Sequence, residues 1–164
     1  MLIRIQNHTI EDITQSIRFL LARATNDPEF VMFAKKFHNI SEVYDWEVSN
    51  IIYTDDTKNP NIPVTVPDGD EVELFISPIR MMRDYQNGHL LYGDCDDYAI
   101  TGTAILREIG YETNVMLLSI EGRGFDHAVI RVKVPGIGDI MVDASAPSIC
   151  LGSLESNHEE LIIE

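Results

Sequence analysis

The sequence predicts an α+β domain in which a cysteine-bearing helix packs on a small antiparallel sheet and N-terminal helices form a covering layer. Three observations carry that expectation. Apolar residues recur at helical spacing through the first third of the chain. A second strongly helical run, 98–109, follows Gly93-Asp94-Cys95-Asp96-Asp97 and stops at Gly110. Beyond it the pattern changes to period two, which suits strands with two distinct faces.

A chain of 164 residues has the size of one domain and can bury a core without metals or disulfides. We expect residues 1–164 to form a single domain: a helical layer with a long loop over 1–70, a core over 71–146, and a tail over 147–164. The hydrophobic share of 45% and charged share of 24% are those of a soluble globular protein. Acidic residues outnumber basic ones by 27 to 12, a formal charge of −15, so the surface repels phosphates and argues against nucleic-acid binding. No stretch approaches the ~20 apolar residues of a membrane-spanning helix. The N-terminus lacks the basic-then-apolar plan of a signal peptide, so a cytoplasmic setting without a membrane partner is expected. Two cysteines, Cys95 and Cys150, do not make a disulfide scaffold and fit a reducing compartment.

Thr9 caps a first helix over 10–25, with Glu11 and Asp12 in the turn where the helix dipole favours them. Ile10, Ile13, Ile17, Leu20, Leu21 and Ala24 make its apolar stripe. Asp27 caps a second helix with Pro28 at the first position. Its Phe30, Val31, Phe33, Ala34 and Phe37 form an aromatic face that reads as core. Ser41 is expected to cap a third helix through Val43, Trp46 and Val48 to Ile52. Turn-forming residues between Tyr53 and Asp70 predict a loop with one extended piece, 62–66, long enough to carry an interaction surface.

Residues 71–77 make an extended or helical entry to Pro78, and a short helix over 79–84 leads to the cysteine segment. After Gly110, 112–120 reads as a largely buried strand, 121–124 as a hairpin-like loop and 127–134 as the clearest strand. In the last, Ala128, Ile130, Val132 and Val134 face one way, and His127, Val129, Arg131 and Lys133 the other. Residues 135–139 turn the chain into a strand over 140–144, and the tail gives weak signals.

Cys95 falls in the first turn of its helix, where unpaired N–H groups and the macrodipole favour negative charge. A thiol there ionises more readily, and the same N–H groups can bind an oxyanion. Asp94, Asp96 and Asp97 oppose that ionisation. His127 heads the polar face of its strand, and Asp143 lies in the next one. A hairpin turn centred on Pro135 puts Asp143 opposite His127, able to orient the imidazole. A turn centred on Ile137 pairs Asp143 with Arg131 instead, and the sequence leaves both open.

The three aspartates could also offer hard oxygens to Ca²⁺ or Mg²⁺, but their spacing lacks the regular ligand intervals and the glycine of an EF-hand loop. Zinc on Cys95, His127 and Asp143 fits in ligand type, yet no second cysteine or histidine lies nearby. No metal or cofactor is therefore expected. Cys150, with no helix start or histidine beside it, reads as a small buried residue.

Gly93-x-Cys95-x-x-x-Ala99, Leu106-Arg107-x-x-Gly110, His127-Ala128 and then Asp143 follow an order that resembles the transglutaminase-like branch of the papain-like cysteine enzymes, over residues 71–146. Asp94, Asp96 and Asp97 around the cysteine, with Ser77-Pro78-Ile79-Arg80 upstream, resemble especially the short bacteriophage-encoded members. The resemblance implies Cys95 as nucleophile, His127 as proton carrier and Asp143 as its orienting acid. In place of the family's tryptophan and Asp-Pro, the last strand has Met141-Val142-Asp143-Ala144-Ser145. His89 and Tyr92 are the candidates nearest in sequence for a second oxyanion donor.

The expected function is acyl transfer on an amide or ester bond through a thioester. Hydrolysis is preferred to transamidation because it needs no second substrate site, and the partner is a protein or peptide substrate. The second expectation is a non-enzymatic virion or assembly protein that keeps the fold as a scaffold.

Overall fold

A computed structural model describes residues 1–6, 9–60, 72–119, 125–146 and 159–164, and in it one helix is enclosed by the other elements. In chain order these are β1 (Leu2–Gln6), α1 (Ile10–Thr25), α2 (Pro28–Ala34), α3 (Ile40–Asn50), β2 (Ile51–Tyr53), a 3-10 turn (Asp56–Lys58), β3 (Val72–Ile76), α4 (Pro78–Gln86), β4 (Leu91–Gly93), α5 (Cys95–Glu108), β5 (Glu112–Ser119), β6 (His127–Val134), β7 (Gly138–Val142) and β8 (Glu159–Ile163). The enclosed helix is α5. Every residue from Asp96 to Leu106 is buried, because α1 to α4 pack around it and β5 and β6 lie against it. Its small residues allow that approach. A Cβ on Gly102 would sit 2.4 Å from Ile130 Cδ1 and 2.8 Å from Glu47 Oε1.

The covering helices follow the local signals closely. Thr9 and Asp12 form a reciprocal capping box on α1, and Asp27 caps α2 through the Glu29 and Phe30 N–H groups. Ile10 is exposed and leaves the apolar stripe. The aromatic face is core: Phe33 meets Phe37 and Trp46 edge-on, each at 5.4 Å, and Tyr85 joins the group. The third helix starts earlier and ends sooner than its sequence suggests. Asn39, not Ser41, is the cap, accepting the Glu42 N–H at 2.9 Å. Ile51-Ile52-Tyr53, β-branched and aromatic, leave the helix to pair in parallel with β4.

The main sheet has the order β7-β6-β5-β8, antiparallel throughout. Ala128, Ile130 and Val132 join the core beneath α5, while Val129 packs on the opposite face with Met116, Leu118 and Met141. Residues 72–76 are extended, pairing with the unforeseen strand β1 (Leu2 opposite Ile76). The weak-signal tail supplies β8, which borders β5.

The β6–β7 register matches neither expected alternative. Ile130 lies opposite Val142 and Val134 opposite Gly138, so the turn centres on Gly136. Pro135 and Gly136 take the middle of that turn, closed by Ile137 N–H to Val134 C=O, and Gly136 adopts φ +79°, which a side chain would resist. Among the described residues no helix is long and apolar enough to cross a membrane. The expectations for 62–66, 121–124 and Cys150 fall outside the described residues.

Candidate active site

Cys95 opens α5, two residues after β4 has delivered the chain to the start of that helix. The Ala128 N–H at the start of β6 works to lower the pKa of its thiol. Burial, and after it the Asp94 carboxylate, push the thiol up to about 12. The helix N-terminus works in the opposite direction. A helix end is worth about half a positive charge, too little against a desolvated sulfur with Asp94, Glu73 and Asp143 around it.

His127 opens β6 on the face away from the main core, and its Nε2 lies 2.7 Å from Asp143 Oδ2. In the observed register Asp143, one residue past β7, continues the line opposite Val129. Its contact with His127 is therefore diagonal, between residues on one face of the sheet. The bend after β7 makes it possible. Asp143 Oδ1 accepts from Ser145 N–H (3.0 Å), Ser145 Oγ–H (2.7 Å) and Ala146 N–H (3.2 Å), which aims Oδ2 at the ring. Burial works to raise this carboxyl, but the bonds from His127 and Ser145 hold it below the usual carboxylate range.

Cys95 and His127 line one pocket of about 220 Å³ together with Tyr53, Glu73, Asp94 and Asp96. A larger cleft of about 840 Å³ lies at the far, hairpin end of the sheet and is lined by no cysteine or histidine. The candidate site residues therefore fall at the smaller pocket. His89 and Tyr92 do not reach it; they border a separate depression with Arg80 and Asp84. Tyr53 lines the pocket instead, because parallel pairing sets it beside Gly93, two residues before the cysteine. Burial, and then Cys95, push its hydroxyl up to about 12, so it keeps its proton as a donor.

Other motif residues hold the site together. Ser77 accepts the Arg80 N–H as the cap of α4, and Pro78 fills the first position. The Arg107 guanidinium donates twice to the Thr113 carbonyl, tying the end of α5 to β5. Asp97 is fully buried and accepts the Ile76 N–H at 2.6 Å, tying β3 to the cysteine helix. Asp96 and Asp97 are raised well above the usual range by burial and then by Asp94. Burial holds Asp94 itself up at about 6.

A half-buried thiol at a helix start, beside a histidine–aspartate pair on an antiparallel sheet, is the arrangement of a cysteine protein with a mixed helix-and-strand fold. The family model described as "Transglutaminase-like domain" matches residues 29–155, and the chain belongs to that family. Among solved structures it is similar to one titled a "Putative Cysteine Protease" from Cytophaga hutchinsonii, with TM-score 0.51 and 15% identity. That match covers 91% of this chain and 56% of the other, so the chain spans little more than half of that protein. No curated protein sequence matches the chain. Fold and family together support cysteine-based catalysis in general terms.

Proposed function

We propose that this chain is a cysteine-dependent acyl-transfer enzyme acting on an amide or ester bond of a protein or peptide. Cys95 is the nucleophile, His127 the general base and then acid, and Asp143 the residue that orients His127. The observation that carries this reading is the 2.7 Å contact between His127 Nε2 and Asp143 Oδ2. It commits one ring nitrogen to the carboxylate and leaves Nδ1 to exchange a proton with the thiol.

With burial and Asp94 raising the thiol, proton removal accompanies attack. The Cys95 sulfur bonds to the carbonyl carbon as its proton passes to His127, and the carbonyl oxygen becomes an oxyanion. The Cys95 backbone N–H and the Tyr53 hydroxyl are its donors. Collapse of this intermediate breaks the C–N or C–O bond, and the leaving amine or alcohol takes the proton from His127. Water, giving a proton to the same imidazole, then attacks the thioester carbon; the C–S bond breaks, the acid is released, and the Cys95 sulfur takes the proton back from His127. Hydrolysis is favoured over transamidation because a pocket of about 220 Å³ holds one substrate segment without requiring a second site for an amine.

The test is the rate of Cys95 alkylation by iodoacetamide against pH, in a Cys150→Ala background, with and without His127→Ala. General-base assistance is worth about 10² or more, so His127→Ala should slow the reaction at pH 7 to 8 by that order. It should leave only the steep rise toward high pH expected of an unassisted buried thiol. Alkylation indifferent to His127 at every pH would sink the enzyme reading and leave the fold as the scaffold of an assembly or virion protein.

A further inference from the structure

One fully buried acid has no part in the chemistry above. Glu47 on α3 is 0% exposed, and neither of its carboxyl oxygens has a hydrogen-bond partner. It sits where α3 covers the crossing of the Cys95 helix over the His127 strand. A Cβ placed on Gly102 of α5 would lie 2.8 Å from Glu47 Oε1 and 2.4 Å from Ile130 Cδ1 on β6. Gly102 is two turns beyond Cys95, about 10 Å along the helix. Ile130 is three residues beyond His127, about 10 Å along the strand. The Glu47 carboxyl therefore fills the corner from which both reactive side chains are held.

A negative charge has nothing to meet at that corner. Asp143, past β7, and the Tyr98 hydroxyl, on α5, are the titratable groups that act with Glu47. β6 meets it with Ile130, and β2 adds Tyr53, which acts on Tyr98. Among the described residues no lysine, arginine or histidine pairs with it. Burial, and then Asp143, hold the carboxyl well above its usual range, with the Gly102 N–H working against them. Uncharged, the group packs between helix and strand. A carboxylate there, with neither donor nor cation, is strongly disfavoured. Ionisation of Glu47 and close packing of α3 on α5 therefore exclude each other.

We propose that Glu47 is a positioning residue: uncharged, it holds the Cys95 helix at its working distance from His127, and loss of its proton releases that hold. Given Cys95 and His127 as nucleophile and base, the reading on which this role rests, an alkaline limit follows that belongs to neither of them. Release carries one proton to solvent. It therefore gains up to tenfold per pH unit between the free and the buried pKa of the group. Tyr98, whose hydroxyl donates to Ile51 C=O at 2.6 Å, anchors the end of α3 beside the same corner.

The test is the assistance factor, the ratio of iodoacetamide rates on Cys95 with His127 intact and with His127→Ala, from about pH 6 to 10 in the Cys150→Ala chain. It is measured with Glu47, with Glu47→Gln and with Glu47→Ala. Ionisation of the thiol itself affects the three series alike. Glutamine keeps an uncharged side chain of the same size, so near pH 6 its factor should match the parent's. By about pH 9 to 10 the parent's factor should be at least tenfold below that of Glu47→Gln. Glu47→Ala should be low throughout, and if it fails to fold the parent and glutamine chains decide alone. Equal factors for those two at every pH would overturn the proposal, since a merely structural role moves them together.

NMR of the His127 ring nitrogens in the same chains judges the positioning without reference to acyl chemistry. In the parent their shifts should follow the titration of Glu47, reported by the carbonyl stretch of a protonated carboxyl in infrared difference spectra against Glu47→Gln. In Glu47→Gln that step should be absent. A Glu47 already ionised at pH 7, or His127 signals indifferent to its titration, would overturn the proposal. His127 signals that follow Glu47, with no assistance factor at any pH, would uphold the positioning and sink the enzyme reading alone.

Discussion

Gly102→Ala tests the packing that holds the helix of Cys95 against the strand of His127. The new Cβ would lie 2.4 Å from Ile130 Cδ1 and 2.8 and 3.1 Å from the two Glu47 oxygens. Ordinary carbon contacts begin near 3.5 Å, so either α5 and β6 separate by about 1 Å or Ile130 and Glu47 leave their positions. Overpacking of this kind costs about 1–3 kcal/mol. Alanine returns about 1 kcal/mol through its better helix propensity. The net expectation is a loss of up to about 2 kcal/mol, or a Tm lower by up to about 8 °C for a chain of this size.

Thermal and urea unfolding measure that loss, and Ile130→Val supplies the control. Alone it should cost about 0.5–1.5 kcal/mol. In the double variant the missing Cδ1 makes room for the new methyl, so the two costs should fall short of additive by about 1 kcal/mol. Because α5 carries Cys95 and β6 carries His127, Gly102→Ala should also slow His127-dependent alkylation, by up to about 10²-fold for a shift near 1 Å. A higher Tm for Gly102→Ala, with strictly additive costs, would refute the close helix–strand contact.

Three further outcomes are expected. Glu47 is fully buried with neither oxygen partnered, and burial, then Asp143, hold it well above the usual carboxylate range. A raised folded pKa means that its contribution is whole below the unfolded value of about 4.3 and is lost as pH rises through the folded one. Glu47→Gln should therefore gain Tm over the parent, with a margin that widens from pH 5 to pH 8; a constant margin would contradict the reading. Asp97→Ala leaves the buried Ile76 N–H without an acceptor, at about 1–3 kcal/mol, while Asp97→Asn keeps one. Urea midpoints should separate the two variants, and equal midpoints would show that this bond does not tie β3 to α5. Tyr98→Phe removes the buried hydroxyl that donates to Ile51 C=O at 2.6 Å. It should cost about 1–2 kcal/mol and speed hydrogen exchange in β2, whereas a change under about 0.5 kcal/mol would speak against that anchor.

Much of the scaffold is legible from local chemistry. The Thr9–Asp12 box, Asp27-Pro28, the stop at Gly110 and the two faces of β6 each follow from side chains within a few residues of one another. The spacing of Cys95, His127 and Asp143 points to a family because motif order survives without coordinates. Even the bend that aims Asp143 has a local signature, an aspartate two residues before a serine N–H.

The tertiary structure decided what depends on distant partners. β1 and β4 have five and three residues, too few to display a period, and exist because β3 and β2 are there to pair with them. The β6–β7 register turned on the backbone conformation of Gly136, which the alternation of apolar residues does not encode. The meeting of Asp56 and Glu73 with Asp94, and of Tyr53 with Cys95, required residues tens of positions apart to converge. The upward shift of the Cys95 thiol has the same origin. Sequence alone shows a thiol at a helix start and its acidic neighbours, but the desolvation that outweighs the dipole comes from the elements packed around it, and burial is a property of the whole fold.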